Sequence, residues 1–402
     1  MVAKINADTS GGLKITSDTS GTLEIQSAGT TKFTVNSAGV DIPAIGTIDG
    51  LTSINGGQVG GRRNIVINGA MKVAQRATSA TGKTGGTSGY FALDRWKLQD
   101  GTIGTAGRCT IAQIADGPAG FANCLKISAT TADTSIDARE ALILQTRFEG
   151  QDLQQLKKGT SSAEQVTVSF YVKGNAAALY VCELHDVDNG RNNTQSFAVT
   201  TDWNRIELTF AADTSDPLDD DTAVSLSLNF WLHSGANYSG GTFASNTWAD
   251  ITLANTTAVA NRTSIYDSTN RTFFLTGVQM EIGSTATDFE SRSFGEELAL
   301  CQRYFQFVES MSAVGNSTTQ LVCTLNFRAA MRAAPTLSVE GVMQVTSGTA
   351  DHVQSSASIV SLTTDQFSSC CFLANMTPNV VAKDPYILRV SNGNKIGLAA
   401  EL

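Results

Sequence analysis

The sequence contains few charged residues and very little proline. Only 16% of its 402 residues are charged, against about 25% in an average soluble domain. There are 6 prolines beside 36 glycines, and Ser, Thr and Asn, which favour turns and strands, fill much of the rest. The composition therefore predicts β structure, and the length predicts more than one domain.

Several classes of protein are excluded by what is missing. No apolar run approaches the roughly 20 residues that a membrane helix needs, so we expect no membrane insertion. The opening segment MVAKINADTSGG has neither the basic nor the apolar region of a secretory signal. The net charge is −9 and there is no basic block. Nucleic-acid binding depends on clustered Lys and Arg, so we expect none.

The cysteine and histidine patterns of metal and catalytic sites are missing too. The seven cysteines show no CxxC spacing, so we expect reduced core thiols in a protein assembled in a cytoplasm. The three histidines, His185, His233 and His352, lie far apart. No GxSxG nucleophile turn is present. We therefore predict no metal site, no cofactor and no enzymatic activity.

A short repeat occupies the first forty residues. Residues 8–15 (DTSGGLKI) return ten positions later as 18–25 (DTSGTLEI), and 27–29 (SAG) return as 37–39. Each copy is a turn followed by a few residues of alternating polarity, which is typical of a short strand. Such strands cannot bury a core alone and must stack on neighbours or on other chains. We predict that residues 1–60 form an extended arm ordered by partners; a disordered polar terminus is the alternative.

Strand patterns separated by turn-forming loops fill residues 61–295. Polarity alternates over residues 166–172, 205–210 and 224–230, and the longest strand pattern is 272–282. Strands with little helix between them favour an antiparallel β-sandwich, and a jelly roll suits a domain of this length.

A short helix is predicted where this domain ends. Ser293 followed by Glu296 fits a capping box, and a helix of about three turns would follow, with Cys301 and Phe305 on one face. Three later segments have strand patterns: residues 319–327, 356–363 and 385–390. We therefore predict that residues 296–402 form this helix and a compact C-terminal β domain.

Separated motifs resemble, in the same order, those of a family of bacteriophage virion proteins. The motifs are residues 64–76 (NIVINGAMKVAQR), 89–96 (GYFALDRW), 275–284 (LTGVQMEIGS), 286–290 (ATDFE) and 293–304 (SFGEELALCQRY). Members of this family are mostly tail-fibre and receptor-binding proteins of tailed phages, many from marine hosts. The resemblance covers about residues 62–335, and the repeats of residues 1–60 are also similar to the start of such fibres.

The resemblance implies a sandwich like that of carbohydrate-binding modules, in a homotrimer and without catalysis. In a phage tail fibre of this kind, residues 1–60 would attach to other tail or portal-proximal virion proteins. The β domains beyond them would bind a glycan on the host surface. A capsid fibre or decoration protein, or a tail adaptor, without a receptor role is the alternative. A depolymerase that cleaves capsular polysaccharide is a third possibility.

One loop has the composition of a sugar-binding site. Residues 233–248 carry Tyr238, Phe243 and Trp248 among Gly, Ser and Asn, with Asn237 next to Tyr238. Aromatic faces and amide hydrogen bonds both suit sugars, so these four residues are our candidate ligand-binding set. Aromatic packing between protomers or at the edge of the sandwich is the alternative.

Two further local features are open to structural interpretation. Residues 213–221 hold five aspartates within nine positions, which could bind calcium but lack the spacing of a known calcium loop. Asp94 and Arg95 are expected to form an ion pair that leans on the Trp96 indole.

Overall fold

A computed structural model of the chain describes most of residues 62–402 and short parts of residues 23–58. The described residues are 23–27, 30–36, 39–41, 53–54, 57–58, 62–101, 104, 106–308, 310–339, 343–346, 351–354, 359–365, 369–375, 381–390 and 395–402. The chain divides into two compact units, Met1–Ile54 and Asn55–Leu402. No helix in these described ranges is long and apolar enough to span a membrane.

The first unit contains a three-stranded antiparallel sheet. Its strands are β1 (Leu23–Ser27), β2 (Thr30–Asn36) and β3 (Gly39–Asp41), in that order, and β4 (Ser53–Ile54) follows them. Ile25 pairs with Phe33 across β1 and β2. Strands are thus present at the second and third alternating segments of the repeat region. The first copy, residues 8–15, lies outside the described residues.

The second unit contains a β-sandwich of two six-stranded antiparallel sheets. After β5 (Gly57–Gln58), the strands are β6 (Ser79–Lys83), β7 (Lys97–Asp100), β8 (Arg108–Ile114), β9 (Cys124–Thr131), β10 (Ala141–Glu149), β11 (Val166–Gly174), β12 (Ala178–Asp186), β13 (Arg191–Val199), β14 (Asn204–Phe210), β15 (Val224–Ser234), β16 (Ala249–Asp250) and β17 (Thr272–Ile282). The strand order is β16-β13-β12-β15-β10-β7 in one sheet and β14-β11-β17-β9-β8-β6 in the other.

Helical segments in this part of the chain are short. They are the 3-10 turns Gly150–Asp152, Gln154–Leu156 and Leu253–Asn255 and the single-turn helix α1 (Ala236–Ser239).

Apolar side chains from both sheets form one core between them. Phe170 of β11 packs edge-on against Phe197 of β13 and Phe230 of β15, at ring-centroid distances of 5.1 and 5.0 Å. Alternate residues of each strand enter this core, as Tyr180 and Leu184 of β12 do, because side chains alternate between the two faces of a strand. The predicted all-β, jelly-roll-like sandwich is confirmed.

The predicted capping box is also confirmed, at the start of helix α2 (Phe294–Gln302). Ser293 Oγ accepts a hydrogen bond from the Glu296 amide at 3.3 Å, and Glu296 Oε2 accepts one from the Ser293 amide at 3.1 Å. The helix is nine residues long, shorter than the three turns predicted. Phe305, which was expected on the helix, instead begins a strand because its backbone pairs with Ala399.

The rest of the second unit consists of two further sheets. The strands are β18 (Phe305–Val308), β19 (Ser310–Gly315), β20 (Gln320–Asn326), β21 (Thr336–Val339), β22 (Met343–Thr346), β23 (Asp351–Gln354), β24 (Ile359–Asp365), β25 (Ser369–Asn375), β26 (Pro385–Val390) and β27 (Ile396–Ala399). They form the sheets β18-β27-β21 and β23-β22-β26-β19-β20-β25-β24. A separate apolar cluster, which includes Leu321, Met331 and Leu398, lies among them. The domain boundaries expected after residues 60 and 295 stay predictions.

Asp94 and Arg95 do not pair with each other, so that expectation was wrong. Arg95 has a φ of 70°, and the backbone turns there and sends the two side chains to different partners. The Gln75 amide donates to Asp94 Oδ1 at 2.9 Å. Arg95 Nη1 instead donates to Glu401 Oε2 at 2.9 Å, and its guanidinium lies 3.4 Å from the centre of the Tyr304 ring.

Candidate functional site

The four residues of the predicted sugar-binding loop do not form one exposed surface. Asn237 is exposed, whereas Tyr238 is buried and packs on Trp231 with ring centroids 5.2 Å apart. Half-buried Phe243 contacts the same small cluster. Trp248 packs on the main core instead and donates its indole N–H to the Ala211 carbonyl at 2.7 Å.

The loop turns back over the outer face of a sheet at Gly235. A Cβ at this position would lie 2.1 Å from the Asp137 carbonyl oxygen, so only glycine fits without a shift of the backbone. The Gly235 amide donates to the Glu140 carbonyl at 2.8 Å, and the Thr257 amide donates to the Tyr238 carbonyl at 2.8 Å. The second bond ties the chain that follows residues 253–256 to helix α1.

A groove lies on that outer face, on the sheet that contains β7, β10, β12 and β15. It has a volume of about 320 Å³, and its lining comes from these four strands and from residues 251–256. We call it the outer-face groove. The opposite face of the same strands carries the main core, so the floor of the groove is a rigid sheet.

The strand register places two polar rows across the floor of the groove. The first row is Gln145, Asn229 and Glu183, and the second is Arg147, Ser227 and His185. Directly opposed residues of antiparallel strands project to the same side of the sheet. Polar side chains from three strands that are distant in sequence therefore line one surface.

Glu183 organises the first row through three hydrogen bonds. Its Oε2 accepts from the Trp231 indole N–H at 2.7 Å and from Asn229 Nδ2 at 2.9 Å. Its Oε1 accepts from Asn192 Nδ2 at 2.7 Å. These donors compensate the desolvation of a carboxylate that is 3% exposed. They also fix the orientation of the indole and the amide that line the groove.

Two polar atoms in the lining of the groove have no hydrogen-bond partner within the described structure. They are Asn229 Oδ1 and Thr256 Oγ1, both in buried side chains. Leaving a buried acceptor or hydroxyl unpaired costs roughly 1–3 kcal/mol. Such atoms are uncommon in folded proteins.

Apolar side chains flank these polar rows. Val187 is 38% exposed and Leu253 is 55% exposed, and both line the groove. The groove thus combines hydrogen-bonding groups with apolar contacts, as small-molecule sites usually do.

Arg147 of β10 lines the groove, and Lys97 of β7 lies next to its lining residue Gln145. Arg147 Nε donates to Gln145 Oε1 at 2.5 Å. Lys97 of β7 pairs in register with Gln145 and so projects to the same side of the sheet. Burial, and to a smaller extent the nearby Arg147 charge, lower the pKa of Lys97 to about 8.

The histidines noted in the sequence lie in different surroundings. His185 lines the outer-face groove, and His352 lies in β23. His233 is buried, with Nδ1 2.7 Å from Ser264 Oγ and Nε2 3.6 Å from Glu140 Oε2. Burial lowers the pKa of His233 to about 4, which keeps its ring neutral near pH 7.

A lysine occupies the centre of the acidic loop that was considered for calcium. Lys158 Nζ lies 2.5 Å from Asp186 Oδ2 and 3.1 Å from Asp213 Oδ2. It also donates to two backbone carbonyls of residues 215–216, at 3.1 and 2.8 Å. In the described ranges, no three His, Cys, Asp or Glu side chains are grouped so as to hold a metal ion.

The groove was missed at the level of sequence because no single segment carries it. One signal was present in residues 224–234 (VSLSLNFWLHS), where Ser227, Asn229 and Trp231 alternate with inward apolar residues. Three such residues on the outward face of a strand indicate a polar surface. Which strands lie beside them follows only from the sheet order.

Comparisons with known proteins gave matches among solved structures alone. No protein-family model matches the sequence, and no curated protein does. Part of the chain is similar to the family 11 carbohydrate-binding module of a cellulosomal cellulase from Clostridium thermocellum, with 13% identity, a TM-score of 0.26, and coverage of 52% of this chain and 99% of the module.

Two further solved structures are similar to about half of the chain. A xylan-binding domain from Paenibacillus barcinonensis has 12% identity and a TM-score of 0.27, with coverage of 56% of this chain and 100% of that domain. The enzymatically active domain of tailspike protein 4 from bacteriophage CBA120 has 12% identity and a TM-score of 0.24, with coverage of 47% of this chain and 19% of that one.

Proposed function

We propose that this protein binds a carbohydrate in the outer-face groove and does not cleave it. The observation that carries the proposal is the outer-face groove itself, in which two rows of polar side chains face a cavity of about 320 Å³. Asn229 and Thr256, two of its lining residues, each have a side-chain oxygen without a partner in the described structure, Asn229 Oδ1 and Thr256 Oγ1. Sugar hydroxyls can donate to the amide oxygen and can donate to or accept from the threonine hydroxyl. Both oxygens are buried just beneath the surface of the groove, so a sugar would reach them once the two side chains turn towards it, and the new hydrogen bonds would remove an energetic penalty that the free protein carries.

The mixture of side chains in the groove also suits a sugar. A pyranose ring has hydroxyl groups around its edge and C–H groups on its faces. The polar rows offer partners for the edge, and exposed Val187 and Leu253 offer apolar contacts for the faces.

Binding without hydrolysis fits the acidic groups of the site. Most glycosidases place two carboxyl groups on either side of the bond that they cleave. Glu183 is the single carboxylate in the lining of this groove, and it already accepts three hydrogen bonds from protein donors.

We further propose that sugar binding serves attachment to a host cell, in a homotrimeric phage tail fibre held on the virion by residues 1–60. The ordered motifs between residues 64 and 304 support this setting. Three linked copies would raise the effective concentration of a weak sugar site.

Deletion of residues 1–60 should abolish incorporation into particles, and immunogold labelling should find the intact protein on the tail. Labelling on the head would favour a capsid decoration protein instead.

Adjacent threonines provide a sharp test of the groove. Among the described residues, Thr256 Oγ1 has no hydrogen-bond partner, whereas Thr257 Oγ1 donates to the Tyr238 carbonyl at 2.9 Å and lies 2.8 Å from Ser234 Oγ. Thr256→Val should leave stability unchanged or raise it, and should weaken sugar binding about two- to tenfold through the loss of one hydrogen bond. Thr257→Val should lose stability and keep its affinity.

The experiment has two stages. The intact protein is screened on a glycan array, and the strongest ligand is then titrated by calorimetry into both variants, whose urea denaturation is measured in parallel. Equal affinity of Thr256→Val and the wild type would contradict the groove as the site. Absence of any glycan binding, or turnover of a bound polysaccharide, would contradict the proposed function itself.

A further inference from the structure

We infer that the carbohydrate taken by the outer-face groove is acidic, and that Arg147 and Lys97 hold its anionic group, a carboxylate or a sulfate. This inference rests on the proposed function and adds the chemical class of the ligand. It is carried by two half-buried cations that project to the groove face and form no close ion pair within the described part of the chain.

Arg147 differs from three other arginines of this unit in its partners. Arg95, Arg191 and Arg303 each form an ion pair, with Glu401, Asp213 and Glu149 respectively. Arg147 lines the groove and uses its Nε on Gln145 Oε1. No described carboxylate lies within ion-pair distance of it. A guanidinium fixed in this way is well suited to an anion, which it can contact through two parallel hydrogen bonds.

Lys97 places a second positive charge beside the groove. It projects from β7 directly opposite Gln145 of β10. Arg147 is two residues further along β10 and so lies in the next row on the same face of the sheet. Its ammonium group likewise has no ion pair among the described residues. Burial and the Arg147 charge lower the pKa of Lys97 to about 8, although the Glu401 carboxylate acts in the opposite direction. A bound anion would favour the charged form of Lys97 and raise that pKa.

The position of Glu183 determines the orientation that an acidic ligand would take in the groove. Glu183 lies on β12, two strands away from Arg147 on β10, with β15 between them. Neighbouring strands are about 4.8 Å apart, so roughly 10 Å separates the two strands. An acidic sugar would therefore place its anionic group over β7 and β10 and its neutral hydroxyls near Asn229 and Glu183, because the carboxylate repels a second negative charge.

Matched pairs of oligosaccharides test this inference. We would titrate the intact protein with oligogalacturonate and alginate oligomers and with their carboxyl-reduced forms, and with carrageenan oligomers and their desulfated forms. At least one acidic oligomer should bind about tenfold more tightly than its neutral counterpart. The preference should shrink as salt increases. A preference among the uronates or among the sulfated oligomers identifies the anionic group.

Variants assign that preference to the two cations. Arg147→Gln and Lys97→Met should each reduce the preference for the acidic oligomer at least threefold, with little effect on its neutral counterpart. Arg139→Gln, at an exposed arginine outside the groove lining, is the control and should change neither. At pH 8, calorimetry in two buffers should detect uptake of up to about half a proton per site, and this uptake should disappear in Lys97→Met.

The outcomes separate this inference from the proposed function. Equal binding of acidic and neutral oligomers in every pair would overturn the acidic ligand and leave the sugar site standing. The same applies if Arg147→Gln weakens both members of a pair equally, because that result indicates a structural role. Failure of the wild type to bind any of these oligomers at millimolar concentration, while a neutral glycan on the array binds, would overturn the acidic ligand alone. Failure with both the oligomers and the array would overturn both.

Discussion

The Lys158 ammonium and the Asp186 carboxylate form a buried ion pair, with Nζ 2.5 Å from Oδ2. Asp186 is fully buried at the end of β12, and the Lys158 side chain is 6% exposed. Asp186 Oδ1 also accepts a hydrogen bond from the Asn189 amide at 3.0 Å. The lysine therefore joins β12 to the acidic loop around Asp213 and supplies a positive charge within that loop.

Removing this lysine should destabilise the sandwich strongly. Lys158→Met leaves Asp186 and Asp213 buried without their shared cation, and breaking a buried pair in this way costs about 3–5 kcal/mol. Lys157→Met is the control, because Lys157 pairs with Glu164 on the surface at 2.7 Å and such pairs contribute about 1 kcal/mol or less. Urea denaturation at pH 7 measures both. Similar losses in the two variants would show that the buried pair has no special weight.

Asp94 should make the protein less stable as the pH rises. Burial raises the pKa of Asp94 from 3.8 to about 6, although hydrogen bonds from Gln75 act in the opposite direction. A carboxyl group with a raised folded-state pKa favours folding while it is protonated in the folded state, so stability should fall between about pH 4 and 6 and stay reduced above that. The effect is of the order of 3 kcal/mol.

The measurement is a denaturation series from pH 4 to 8 on the wild type and Asp94→Asn. The variant should lack this fall in stability. Asp250→Asn, at a carboxylate that is 88% exposed, serves as the control. Parallel pH profiles for the wild type and Asp94→Asn would contradict the raised pKa.

His233 should make the protein more stable as the pH rises, which is opposite to the effect of Asp94, over a similar pH range. Burial lowers the pKa of His233 from 6.5 to about 4, with the Asp133 charge raising it and the Arg262 charge lowering it. Glu140, Ser264 and Tyr266 pack on the same ring. A base whose pKa is lowered in the folded state makes the protein less stable as the pH falls from 6.5 to 4, because the unfolded chain takes up the proton first.

Asp94 and His233 change the stability of the protein with pH in opposite directions. The contribution of the histidine is therefore best measured in the Asp94→Asn background. Adding His233→Asn there should flatten the loss of stability on acidification. An unchanged slope would show that His233 takes up its proton equally in the folded and unfolded states.

Glu401 should hold residues 399–402 against the sandwich. Its carboxylate pairs with Arg95 at 2.9 Å and with Arg76 at 3.0 Å, and the Arg95 side chain is 1% exposed. Glu401→Gln keeps the shape but leaves a buried cation without its charge partner, which should cost about 3 kcal/mol. Glu207→Gln, at a half-exposed carboxylate that pairs with Arg205, should cost about 1 kcal/mol or less. Thermal denaturation compares the two, and equal shifts would contradict this role of Glu401.

Elements that depend on neighbouring residues were predicted well from the sequence. Contacts between residues that are far apart in the chain were not. The strand predicted over residues 272–282 matches β17, because its polarity pattern is contained within the strand. The capping box at Ser293 was predicted for the same reason. The early end of α2 was missed because it depends on the pairing of Phe305 with Ala399, almost a hundred residues later.

The candidate site was likewise missed from the sequence, because its residues come together only in the folded sheet. Composition drew attention to Tyr238 and Trp248, but composition does not tell which side of a sheet a ring will contact, and Tyr238 is buried against Trp231. The rows that line the groove depend on register, and a shift by one residue would turn every side chain of a strand to the other face. The partners of Arg95 and Lys158 depend on the tertiary fold for the same reason.

A crystal structure of the protein soaked with its strongest array ligand tests most directly whether the outer-face groove holds the sugar. We expect density for a sugar in the groove, with one hydroxyl within hydrogen-bond distance of Asn229 Oδ1 and another within reach of Thr256 Oγ1. A sugar bound against Phe243 and Trp248, with the groove empty, would contradict the groove as the binding site.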